Sequence, residues 1–119
     1  MDFPPVGGNQ GAFAGSIQTV SHRLEIRPQA LADMAEAAAW YEEHQGGLGE
    51  RFIREVVTAI DALLPNPLVY RLRNRRLGAR WCFPRSFPYR IVYRFVGDVV
   101  TVVAVIHAAR HDGHWQARP

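Results

Sequence analysis

The sequence predicts an α+β domain in the order β-α-α-β-β-β, a small, mainly antiparallel sheet with a helical hairpin packed on one face. Three observations carry that expectation. Residues 85–107 (RSFPYRIVYRFVGDVVTVVAVIH) write out a β-hairpin around Gly97-Asp98, a two-residue loop of the kind that supplies positive φ for a tight turn. Residues 28–64 carry two amphipathic helical stripes interrupted by Gln45-Gly46-Gly47. Residues 75–83 alternate at strand period, and the 119-residue length suits a single modest core.

In chain order, residues 1–21 (MDFPPVGGNQGAFAGSIQTVS) mix Gly, Pro and Ala without periodicity and are expected to form a flexible arm or leader. They lack the basic start and apolar block of a signal peptide. Residues 22–119 then form the single domain. HRLEIR (22–27) suits a short strand with Leu24 and Ile26 on one side. Pro28 stands where a first helical turn tolerates proline, and Leu31, Met34, Ala35, Ala38 and Tyr41 follow at helical spacing. The second helix starts near Leu48, carries Phe52, Val56, Ile60 and Leu63 on one stripe, and ends before Pro65-Asn66-Pro67. In the strand near 75–83, Leu77, Ala79, Trp81 and Phe83 fall on one side, and Arg76, Gly78, Arg80 and Cys82 on the other.

The hairpin is expected to pair Phe95 with Val100, Tyr93 with Val102, Ile91 with Ala104 and Tyr89 with Ile106. Those residues would make one apolar face, to be covered by the helices. The opposite face would present Arg90 and Arg94 to solvent, with Val92, Thr101, Val103, Val105 and His107. Trp40 and Trp81 are expected in the core or at helix–sheet contacts, and Trp115 is expected to pin the tail to the body.

Charge is segregated along the chain. Residues 24–64 hold eight acids against three arginines, and residues 65–119 hold ten arginines against two acids. Every one of the 14 basic residues counted as Lys plus Arg is arginine, whose planar fork matches carboxylates and phosphates. An acidic partner or a polyanion is therefore expected on Arg76, Arg80, Arg90 and Arg94. The sole cysteine, Cys82, forms no internal disulfide, which favours a reducing cytoplasm. It has no evident histidine partner that would make it a nucleophile. There is no CxxC or HExxH spacing, and no metal or cofactor is expected. The longest apolar run, Val99 to Ile106, is too short to span a bilayer. If the chain cleaves RNA, Arg90 is the candidate cation and His107, His111 and His114 are candidate acid/base groups.

The order of elements and several local motifs resemble the RelE/ParE superfamily of bacterial type II toxins, and most closely its ParE-like branch. The resemblance spans roughly residues 23–118. It rests on the Tyr41-Glu42-Glu43 ending of the first helix followed by GLGERF (47–52), on Asn66-Pro67, on FPYRIVY (87–93) and on AVIHAARHDGHW (104–115). It implies a toxin, of the kind found in plasmid-stabilisation modules, held inactive by an antitoxin that wraps an often acidic segment around it. ParE-like members are associated with inhibition of DNA gyrase, whereas RelE-like members cut mRNA on the ribosome. By that resemblance Arg90 falls where RelE-like nucleases place a sheet arginine used on the scissile phosphate, and Arg110 falls near a second functional arginine. The lysines those nucleases use on the preceding strand are absent, with Arg76 and Arg80 standing imperfectly in their place. The expected function is a gyrase-directed toxin that binds its antitoxin or target through Arg76, Arg80, Arg90, Arg94, Arg110 and Trp115. The alternatives are a ribosome-dependent mRNA endonuclease and a non-toxic, antitoxin-binding regulator.

Overall fold

Pro28, whose missing N–H costs nothing in a first helical turn, opens α1 (Pro28–His44) just after strand β1 (Arg23–Ile26) in the computed structural model, which describes residues 22–110 and 113–118. The expected arm 1–21 lies outside the described residues. The buried side of α1 is Ala30, Met34 and Ala37, with Ala38 and Tyr41 partly buried. Leu31 is about half exposed, and so is Trp40, which stacks on His44 one turn later at 3.8 Å instead of entering the core. Small residues face inward because the second helix comes very close. Gly49, in the first turn of α2 (Leu48–Leu63), abuts the backbone carbonyl of Ala38, where a Cβ would have no room. Glu42 closes the break between the helices: its carboxylate accepts the N–H groups of Gly47 (2.9 Å) and Gly49 (3.0 Å), which the helix start would otherwise leave unpaired. Phe52, Val56, Ile60 and Leu63 are buried, as their spacing predicts.

The remaining strands are β2 (Leu72–Asn74), β3 (Ala79–Cys82), β4 (Tyr89–Val96) and β5 (Val99–His107), followed by the single turn α3 (Gly113–Gln116). The sheet runs β1-β5-β4-β3-β2, with β1 parallel to β5 and the other neighbours antiparallel. The expected strand near 75–83 is divided. Its first part is the turn into β3, where Asn74 accepts the Leu77 N–H at 2.9 Å. The short edge strand β2 is an addition, too brief to leave a periodic signature.

The hairpin departs from expectation in one consequential place. Gly97, at φ 64°, makes the turn, and Phe95 pairs with Val100 and Tyr93 with Val102. Beyond them β5 carries an extra residue, so that Val92 stands opposite Ala104, Ile91 opposite Val105, Arg90 opposite Ile106 and Tyr89 opposite His107. A β-bulge of this kind reverses the facing of everything after it. Ala104 and Ile106, expected under the helices, lie on the opposite face, and Val105 takes their place. The chain therefore has two apolar clusters. The larger lies under the helices and includes Phe52, Val56, Ile60, Ile91, Tyr93, Val102 and Val105. The smaller lies on the other face and joins Ala79, Val92, Val103, Ala104 and Ile106 beneath Trp115. Phe95 is only partly buried.

Candidate functional site

The second cluster decides what becomes of the arginines. Apolar residues on both faces of β4 and β5 require a cover on each, and α3 supplies the second one: Trp115 is 2% exposed against the floor of Val92, Val103 and Ile106. Pinning of the tail by Trp115 follows the expectation. Beyond Ile26, where β1 stops pairing, the free edge of β5 is closed by side chains. Asp33 of α1 accepts the Val105 N–H at 3.0 Å and the Arg118 guanidinium through both oxygens, at 2.9 and 3.1 Å. Arg118 also donates to the Val103 carbonyl at 3.0 Å. This largely buried ion pair joins the helical layer to the tail around the edge of the sheet. Nothing in the sequence marks either residue for that role.

Arg90 was expected in solvent and is instead buried, at 6% exposure. Its two terminal nitrogens donate to the carbonyls of Ala108 and Arg110, each at 2.9 Å, and its guanidinium lies 4.5 Å from the Trp81 ring centroid. The carbonyls come from the turn after β5, which the tail folds back over the sheet, so the same closure that buries Trp115 also seals Arg90. Arg73 approaches Trp81 too, at 4.4 Å. Trp81 thus borders the second cluster and not the helix–sheet interface.

The other arginines do not gather around it. Arg80 pairs with Tyr93, so it points to the helical side, where it donates to the Tyr70 carbonyl at 2.6 Å. Arg94 shares the Arg90 side and sits half-buried in a cross-strand row with Glu25, Thr101 and Ala79. Arg76 is exposed in the turn before β3, and Arg110 is exposed after β5. The expected four-arginine face is therefore split between the two sides of the sheet. The reason is register: β3 and β4 align Arg80 with a core tyrosine and Arg94 with a core alanine.

The bulge also separates two of the candidate catalytic groups, His107 and Arg90, while His107 and Arg110 line one groove. His107 pairs with Tyr89, against which its ring packs at 5.2 Å, and so turns to the helical side, opposite Arg90. Its Nδ1 accepts the Ala109 N–H at 3.0 Å. It borders a groove of about 430 Å³ with Trp40, Tyr41, Glu36 and Arg110. His111 and the His114 side chain lie outside the described residues. Cys82 faces the helices beside Ile91, not the arginines, and burial pushes its thiol up to about 12. Burial likewise raises the Tyr93 hydroxyl to about 12, and that hydroxyl donates to the Pro67 carbonyl at 2.7 Å. Among the described residues no group of three or more His, Cys, Asp or Glu is placed to hold a metal ion.

Residues 24–112 match the model of a protein family described as the ParE toxin of the type II toxin–antitoxin system parDE. The chain belongs to the ParE toxin family. It is the toxin component of a type II toxin–antitoxin system by that membership, and the Trp115–Arg118 closure lies just outside the matched segment. Solved structures share the fold. A chain of the chromosomal ParDE system from P. aeruginosa matches at 17% identity and TM-score 0.65, over 73% of this chain and 96% of that one. A chain of the toxin–antitoxin complex RelBE2 from Mycobacterium tuberculosis matches at 22% identity and TM-score 0.53, over 74% and 99%. An arginine-to-alanine mutant of the E. coli toxin RelE in its free state matches at 20% identity and TM-score 0.50, over 76% and 86%. No curated protein sequence matches the chain. Among the described residues of this ParE-family toxin, no helix is long and apolar enough to cross a membrane.

Proposed function

We propose that this ParE-family toxin acts by binding DNA gyrase and blocking its action, without cutting RNA, and that a cognate antitoxin with an acidic toxin-binding segment neutralises it. The observation that supports a non-enzymatic mode is the commitment of Arg90. Cleavage by 2′-hydroxyl attack needs a cation, a base and an acid converging on one phosphate. Here the guanidinium in the position that resembles the nuclease arginine spends its fork on two carbonyls of its own chain, and His107 faces the other side of the sheet. The positive balance of residues 65–119 supports an acidic antitoxin segment.

The test is direct. Purified chain is added to gyrase and relaxed plasmid, while RNA from cells expressing the chain is mapped for new ends. Inhibited supercoiling with unchanged RNA ends is the expected result. Site-specific ends in ribosome-bound mRNA, formed while gyrase works normally, would overturn the proposal in favour of a nuclease. Harmless expression with both activities intact would favour the regulator.

A further inference from the structure

The β2 margin of the molecule carries apolar and cationic surface side by side. The connection from α2 leaves Leu68 and Val69 more than half exposed, at 57% and 59%. Tyr70 and Phe83 are also exposed, and both line an open groove of about 490 Å³ together with Arg51, Arg54 and Arg85. β2 is the edge of the sheet, three residues long, and its flank carries no apolar cover among the described residues. Residues 65–97 contain eight arginines and not one acid. Glu55, the acid within the groove, is engaged by the Ser86 N–H at 2.7 Å and by Arg51 at 3.2 Å.

We infer that this margin is the docking surface of the antitoxin, which lays an acidic, amphipathic segment along Leu68–Tyr70 and Phe83 and sets its carboxylates on Arg54 and Arg85. The inference rests on the antitoxin partnership proposed above and adds its location. Charge complementarity selects an acidic occupant, because Arg51, Arg54 and Arg85 outnumber Glu55, the acid that lines the groove with them and is already engaged by Arg51 and Ser86, and so repel a cationic one. The aliphatic residues select a protein over a nucleic acid: single-stranded nucleic acid is held by cations and aromatic platforms, whereas Leu68 and Val69 gain only by leaving water against another apolar surface. Exposed apolar surface rimmed by charge is the common form of a protein-binding site.

The experiment uses the full chain and, as probe, the full-length protein encoded by the adjoining reading frame, with affinity followed by calorimetry at low and high salt. The variant R54E/R85E should weaken binding at least tenfold at low salt, with the deficit shrinking as salt rises. L68S/V69S should weaken it comparably at both salt concentrations, mainly through faster dissociation. R23E, an exposed reversal on β1 at the opposite edge of the sheet, should leave affinity unchanged, which shows that a charge reversal away from the margin has no effect. Because every substituted side chain is exposed, thermal unfolding of the variants should match the parent. Tight binding that ignores both double variants would overturn the docking surface while leaving the toxin–antitoxin partnership standing. Absence of any binding by the parent would overturn both. Self-association of the parent abolished by L68S/V69S, without effect on the antitoxin, would assign the margin to a second copy of the chain. Retention of single-stranded DNA or RNA, lost in R54E/R85E while antitoxin binding persists, would assign it to nucleic acid.

Discussion

Replacing Arg90 with alanine separates a structural arginine from an available one. In the structure its fork makes two charge-assisted bonds, to Ala108 and Arg110, and stacks on Trp81 from a position that is 6% exposed. Hydrogen bonds from charged donors contribute about 1.5–3 kcal/mol each, and stacking on tryptophan adds about 0.5–2 kcal/mol. Part of the loss is recovered, because Ala108 and Arg110 belong to exposed residues and water can reach their carbonyls once the fork is gone. The net cost should be about 2–4 kcal/mol. For a domain of this size that corresponds to a fall in Tm of about 8–15 °C. Arg90→Lys should recover part of it, since an ammonium can reach a carbonyl but cannot fork to two. Urea unfolding followed by far-UV circular dichroism gives the free energy. Tryptophan emission tests for exposure of Trp115, because the turn that Arg90 ties down leads into α3. An unfolding free energy for Arg90→Ala within about 0.5 kcal/mol of the parent, with unchanged tryptophan emission, would refute the committed guanidinium. Arg90 would then stand available for a phosphate.

Gly49→Ala should cost at least about 1–3 kcal/mol, because the added methyl meets the Ala38 carbonyl, a backbone atom that cannot step aside; urea unfolding measures it. Cys82 should resist thiol-specific labelling in the folded chain and react on denaturation, being 1% exposed with a thiol raised to about 12. As pH rises, the unfolded chain loses the protons of Cys82 and Tyr93 first, near their ordinary values of 9.0 and 10.0, while the folded chain holds both to about 12. Their contribution to stability is therefore full below about pH 9 and lost as pH climbs to about 12, a slope that Cys82→Ala should reduce in denaturation curves taken across that range. Deleting Val103, the extra residue of the bulge, should abolish the folded state, because it would turn Ile106 and Ala104 toward the helices and Val105 away; a folded deletion variant by circular dichroism and proteolysis would contradict the two-sided register.

The elements themselves were readable from short-range pattern. Pro28, the Gln45-Gly46-Gly47 break, the Phe52–Leu63 stripe and the Gly97-Asp98 turn each act on their own few residues, and each appears where its local chemistry places it. Trp115 was legible for a similar reason: a large apolar ring in a polar tail has to leave water somewhere. The shared motifs from GLGERF to AVIHAARHDGHW pointed to the family that the match over residues 24–112 bears out.

Within the hairpin, period-two reasoning fails only after the bulge, and there it fails for every residue at once. Val102–Ile106 is so uniformly apolar that either phase satisfies its composition, so the sequence holds no mark of the extra residue, Val103. Only the competition between two covers, the helices on one face and Trp115 on the other, settles which side Ala104, Val105, Ile106 and His107 take. The same holds for the charged groups. Arginine count and charge balance are properties of the chain, but whether an arginine meets a partner depends on which carbonyl or carboxylate the fold brings within about 3 Å of it. Arg90 found Ala108 and Arg110, and Arg118 found Asp33, across separations of 18, 20 and 85 residues. A local pattern carries no information over such distances, because those contacts exist only once the strands, helices and tail have packed.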